Sequence, residues 1–319
     1  MGIAILGVCL LHAFKWAGIG ESLIAHAVGP FARIAFTDGF LFLSGFGLYY
    51  SFRKNGDLRK FYTKRVNRVL LPYMIMGLPF FLLGLITGDI SVSDFLLKFT
   101  SLYFWFYGND GMWYISMSLA LYFIFPVAFK LLFAQQKELI VVSRSLLIIM
   151  TCVFVCFALC NFAPHYYNML QIGVTKAPMF FIGMLVGWYS CLGRSMSYKH
   201  LLGGGILLAS TFMLKRYSEV FVPCYDMSYR LLMMPIACLA MECFKTKRLN
   251  IGLQWLGRYS LEIYVLQMLI IGVSQKALVA MGCPTSHIPV LHTLLTFAIV
   301  IVFCAPVHIG IEKLIKRIE

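Results

Sequence analysis

An all-α, polytopic integral membrane protein with about ten transmembrane helices is what this sequence predicts, and three observations carry the prediction. Hydrophobic residues fill 61% of the 319 positions and charged residues only 13%, whereas a soluble domain is about half apolar and a quarter charged. The apolar residues fall in runs close to the roughly 20 residues that cross a hydrocarbon core. Lysine and arginine gather in alternate connections between those runs, the pattern left by a chain threaded back and forth through a bilayer.

In chain order the predicted spans are residues 1–16, 32–52, 69–87, 112–133, 139–160, 177–191, 200–214, 231–244, 256–273 and 290–311. The sixth to eighth are short, and Gly203, Gly204, Gly205 and Pro235 interrupt them; irregular backbone survives at membrane depth only where protein or a cavity covers it. The segment 88–111 holds an amphipathic stretch, 95–106, suited to the membrane interface, where Tyr103, Trp105 and Tyr107 would sit well. Between the second and third spans stand Arg53, Lys54, Arg59, Lys60, Lys64, Arg65 and Arg68, and later even-numbered connections add Lys130, Arg144, Arg194, Lys245 and Arg258. Cytoplasmic loops retain such residues, so both termini are placed in the cytoplasm.

This topology accounts for 27 basic against 13 acidic residues without a nucleic-acid partner. Most of the ten cysteines lie in or beside spans as small apolar residues, and none shows metal-ligand spacing; no metal is expected. Cys224 and Cys283 belong to outward loops and are read as free thiols. Ala25-His26-Ala27 fits a signal-cleavage pattern, but no basic region precedes the apolar core. The chain reads as one integral domain over residues 1–319.

His12 is the one ionisable side chain in the run Met1 to Phe14, and an intramembrane imidazole is a functional-site candidate because it must find partners or line a wet cavity. Arg65 and Arg68, three residues apart at the start of a span, share a helix face and form a forked cation suited to phosphate. The same pair also reads as a positive-inside anchor touching anionic lipid, and the two residues leave both readings open. Asp38, early in the second span, is placed near His12 to orient the imidazole or bind a sugar hydroxyl, with a plain helix-terminal or interhelical hydrogen bond as the bland account. Ser44 and Gly45 are read as close-packing residues. Arg258 and Glu262 are spaced for an intrahelical ion pair, and Trp113 is either an interfacial anchor or a wall of an acceptor site. Glu242 has no evident partner. His26, His165, His200, His287 and His292 are assigned to loops or membrane edges, leaving His308 as the other buried histidine.

Several segments in order resemble the membrane acyltransferase family 3, whose members O-acylate cell-surface glycans and lipids. The resemblance covers most of the chain. It rests on Gly2-Ile3-Ala4 followed by an apolar run and His12, on Phe40-Leu41-Phe42-Leu43-Ser44-Gly45-Phe46, and on Arg65 and Arg68 ahead of Pro72-Tyr73. Trp113, Tyr114, Tyr122 and Pro126 fit a further helix, as do Phe181-Ile182-Gly183-Met184, the stretch from Trp255 to Tyr264, and Ile311-Glu312. The resemblance implies an acyl-CoA donor with acetyl as the expected acyl group, held by Arg65 and Arg68. It also implies His12 as general base or transient acyl carrier, with Asp38, Trp113 and Ser44 in support. The acceptor it implies is a hydroxyl of a surface polysaccharide or glycolipid precursor, worked on from the bacterial inner membrane. There are two departures. Gln267 stands where many relatives carry a histidine, so that position either is not the base here or is dispensable. Met1 stands where the family carries an arginine, and a first helix of only about 24 Å leads us to expect further residues upstream. The rival readings are a transporter or flippase of lipid-linked sugars and a non-enzymatic partner of a glycan assembly system.

Overall fold

The computed structural model describes residues 1–16, 37–108, 111–135, 137–194, 198–225, 227–228, 247–282 and 289–318. Among them there is no strand. The helices are α1 (Gly2–Trp16), α2 (Thr37–Lys54), α3 (Leu58–Arg65), α4 (Leu71–Ile86), α5 (Val92–Phe99), α6 (Tyr103–Tyr107), α7 (Trp113–Phe133), α8 (Glu138–Phe162), α9 (Pro164–Val174), α10 (Ala177–Cys191), α11 (Tyr198–Tyr217), α12 (Lys247–Arg258), α13 (Ser260–Ala280) and α14 (Pro289–Ile318). Among the described residues, six helical stretches are long and apolar enough to cross a bilayer: Leu58–Ile86, Trp113–Phe133, Glu138–Phe162, Pro164–Cys191, Ser260–Ala280 and Leu291–Arg317. The predicted span 231–244 and Glu242 lie outside the described residues.

Proline chemistry explains two irregularities that the apolar pattern does not show. Pro72 lacks the N–H that would bond the Arg68 carbonyl and crowds it; the chain answers with a π turn, Val66–Leu70, in which Leu71 N–H reaches back to the Val66 carbonyl. The basic segment read as a loop is therefore helical, with α3 started by Asp57, whose side chain accepts from Lys60 N–H. Pro178 acts likewise on the carbonyl of Val174, where α9 stops. Thr175 Oγ1 donates to the Gln171 carbonyl at 2.6 Å, and the break at Thr175 and Lys176 turns the lysine inward. Residues 164–174, read as part of a connection, continue an apolar stretch that runs to Cys191.

The amphipathic segment forms α5, with a Ser91–Asp94 capping box, and α6. Its apolar side chains Val92, Leu96, Leu102 and Phe106 stay exposed.

Among the described residues two large apolar clusters organise the bundle, beside a small third one at Cys156, Tyr167 and Met227. One joins α2, α7 and α10 through Leu41, Tyr49, Phe52, Phe125, Phe180 and Trp188. The other joins α1, α4, α13 and α14 through Ile5, Val8, Tyr73, Ile263, Val300 and Cys304. In the first cluster α2 and α10 cross with backbones in contact: a Cβ on Gly45 would lie 2.0 Å from the Phe180 carbonyl oxygen, and one on Gly183 would lie 2.0 Å from that of Phe42. The close-packing role expected of Gly45 is the one it has. In the second, Gly2 meets the backbone of Leu253 in α12 in the same way.

Candidate active site

Between the two clusters lies a cavity of about 1100 Å³. One wall carries Lys64, Arg65, Asn67 and Arg68 from α3 and the π turn, and the facing wall carries Arg258, Tyr259, Glu262, His308 and Glu312 from α12, α13 and α14. Ser44, Tyr114, Ser118 and Tyr122 line its flank, and Val8, Thr37 and Tyr264 also border it.

The structure brings Arg65 and Arg68 to this one space, as their spacing predicts. Arg65 is half-buried, its guanidinium 5.7 Å from the Phe61 ring and 5.8 Å from the Tyr122 ring. Among the described residues its buried Nε has no hydrogen-bond partner. A guanidinium held by aromatic faces with an N–H unmet is ready for an anionic ligand. Ser44 contributes its hydroxyl, which accepts from Tyr122 at 3.4 Å.

The opposite wall differs from expectation. Glu262 does not pair with Arg258, which is exposed; its Oε1 lies 2.7 Å from His308 Nδ1 on α14. His308 Nε2 is 3.4 Å from Glu312, and the Tyr259 ring stands edge-on to the imidazole at 5.2 Å. Arg258 sits at the break between α12 and α13 at Tyr259, so the i,i+4 geometry of one continuous helix does not apply to it. This wall is of mixed sign, Glu262 and Glu312 beside Arg258 and His308, whereas the wall facing it carries only cations, Lys64, Arg65 and Arg68, and attracts an anionic ligand the more strongly.

His12 lies beyond the cavity. Val8 lines the cavity, and His12, four residues on, is about 6 Å further along α1. There it lines a narrow pocket with Gln267, Ile271, His292, Thr293, Thr296 and Phe297. Gln267 is fully buried, and its Oε1 accepts from Cys9 Sγ at 3.5 Å, joining α1 to α13 one turn from His12. His292, assigned above to a membrane edge, is instead buried, with Nε2 at 2.7 Å from Ser274 Oγ.

Asp38 has a partner that the sequence reading did not find. Its Oδ1 is 3.0 Å from Lys176 Nζ, and both side chains are buried. Lys176 also donates to Thr37 Oγ1 at 2.9 Å and lies 5.6 Å from the Trp113 ring centroid. The neighbouring Gly39 packs against Ala4, about 12 Å short of His12 along α1. Trp113 is only 7% exposed, a wall inside the bundle and not an anchor at the membrane surface. The one available signal for Lys176 was a lysine two residues ahead of a proline that opens an apolar run.

Cys224 is a free thiol; Cys283 lies outside the described residues. The sequence profile described as an acyltransferase domain, that of acyltransferase family 3, matches residues 2–309. No curated protein matches, and no solved structure does.

Proposed function

The chain belongs to acyltransferase family 3, and from that premise we propose that it moves an acetyl group from acetyl-CoA to a hydroxyl of a surface polysaccharide or glycolipid precursor. A transferase needs a donor site and a transfer site, whereas the transporter and non-enzymatic readings need neither and draw no support from this membership. In the proposed reading the chain is a single domain with ten spans in a bacterial inner membrane, and the Arg65 and Arg68 end faces the cytoplasm, where acyl-CoA is made.

The observation that carries the reading is the half-buried Arg65, its Nε–H unmet, facing a cavity shared with Arg68 and Lys64. Donor phosphates bind that wall, since guanidinium pairs suit phosphate oxygens. The thin pantetheine arm runs past Tyr122, Tyr114 and Val8, and the thioester reaches His12 when the pocket there, which has no room for a water molecule in this structure, opens. Neutral imidazole there takes the proton of the acceptor hydroxyl as that oxygen attacks the acyl carbon; a transient acyl-imidazole is the other route the same residue supports. Ser44 and Asp38 hold the flank of the path, Ser44 through Tyr122 and Asp38 through Lys176, and Trp113 walls it.

Replacement of His12 with alanine tests the reading. We expect acetyl transfer to fall at least about a thousandfold, the span of general-base catalysis, with the protein still inserted and still binding CoA. Transfer is read as the 42-dalton mass increment on surface glycan, with the precursor pool compared between a deletion strain and a complemented one. Undiminished acetylation by the variant would remove His12 from the chemistry.

A further inference from the structure

Gln267 is a buried donor with an unmet hydrogen bond in the pocket that holds His12. The side chain is 0% exposed. Its Oε1 is tied to Cys9 Sγ on α1, which sets the carboxamide, and among the described residues Nε2 has no hydrogen-bond partner. Buried polar groups without partners are rare in folded proteins, because the lost hydrogen bonds to water are not replaced. One that persists in a pocket beside a candidate base calls for a ligand that supplies the acceptor. The remaining polar lining is His292, Thr293 and Thr296; His292 is engaged with Ser274, and Thr296 Oγ1 donates to the His292 carbonyl at 2.9 Å. A carboxamide offers N–H donors at every pH and cannot serve as a base. The position thus suits a fixed donor.

We propose that Gln267 Nε2 is a catalytic hydrogen-bond donor to the carbonyl oxygen of the acyl group during transfer. The inference rests on the reading of His12 as the centre of that transfer. In the step, the acceptor oxygen bonds to the acyl carbon while His12 takes the hydroxyl proton, and the carbonyl π pair moves onto oxygen, where the Gln267 N–H receives it. The pair then returns, the carbon–sulfur bond breaks, and the departing thiolate takes the proton from His12. No oxidant, reductant or metal enters the balance. A donor positioned before the charge develops favours the transition state over the ground state. Cys9 is a positioning residue in this scheme: it holds the oxygen end so that the nitrogen end stays toward the pocket.

The test uses membranes carrying the full chain and its endogenous acceptor, with radiolabelled acetyl-CoA as the probe and label in the envelope fraction as the readout. Gln267→Met keeps volume and removes the donor. It is expected to lower apparent kcat by about 10²- to 10³-fold, the loss typical of one oxyanion donor, with KM for acetyl-CoA within about threefold. Gln267→His restores an N–H donor and should recover activity to within about tenfold of the native chain. A purely structural role would instead lower donor affinity and the amount of inserted protein, and histidine would rescue no better than methionine. Cys9→Ala, which frees the carboxamide without removing it, is expected to give a smaller kcat loss than Gln267→Met. If His12→Ala is inactive while Gln267→Met keeps kcat within threefold, the Gln267 assignment is overturned and the His12 reading stands. If His12→Ala is itself active, the reading beneath both is overturned.

Discussion

The broad cavity at Arg65 and Arg68 and the narrow pocket at His12 are built from opposite materials. The cavity mixes both signs of charge, on side chains that run from buried Glu262 to exposed Arg258, with Lys64, Arg65 and Arg68 on one wall and the Glu262–His308–Glu312 group beside Arg258 on the other. The pocket holds imidazoles, threonines and a carboxamide, with no carboxylate, lysine or arginine in its lining among the described residues. Charges near water bind and orient an ion at modest strength, and they weaken as salt rises. Neutral dipoles in a site without water act more strongly on charge that appears only in the transition state. Under the proposed function this difference divides labour along one path: affinity is drawn at the wide end and chemistry at the narrow one, separated by about one helical turn between Val8 and His12.

Changes at three places would break or sharpen that division. The largest stability effect is expected from Lys176→Met, which leaves the buried Asp38 carboxyl without its ammonium. Removal of one member of a buried pair costs about 3–5 kcal/mol, seen as a large fall in the detergent-solubilised melting temperature. Asp38→Asn combined with Lys176→Met should recover a clear part of the loss, and a double variant no better than the single would separate the pair's energetics from the fold. Next come Arg65→Ala and Arg68→Ala. Each deletes a charge-assisted contact of about 1.5–3 kcal/mol, so KM for acetyl-CoA should rise about ten- to hundredfold with kcat nearly unchanged, and the native KM should itself rise with ionic strength. A kcat loss at constant KM would dissolve the division between the two sites. The smallest effect on turnover by the folded protein is expected from Gly45→Ala. Its new methyl would lie 2.0 Å from the backbone carbonyl oxygen of Phe180, so α2 and α10 must part to admit it, read as a lowered melting temperature with the ratio of kcat to KM little changed in the surviving fraction.

Much of this was legible in sequence where the signal is local. Apolar runs marked the helices, the three-residue spacing brought Arg65 and Arg68 into one cavity, and Gly45 was a close-packing residue. What escaped was long-range. Periodicity tells which face of its own helix a residue occupies and says nothing of what that face meets, so the Asp38–Lys176 pair, 138 residues apart, and Glu262–His308, 46 apart, could not be paired in advance. Asn161, His165, Asn168 and Gln171 diluted the apolar run ahead of Lys176, so a helical segment read as a connection. The i,i+4 rule misled at Arg258 because the helix is interrupted at Tyr259.

The break at Pro178 has a consequence for biogenesis. Lys176 and Asp38 reside in segments made far apart in time, and neither charge has its counterpart until α10 docks on α2. The pair can close only after synthesis has passed Lys176, a little over half way along the chain, so it ties the first helices to the middle ones before the last are made.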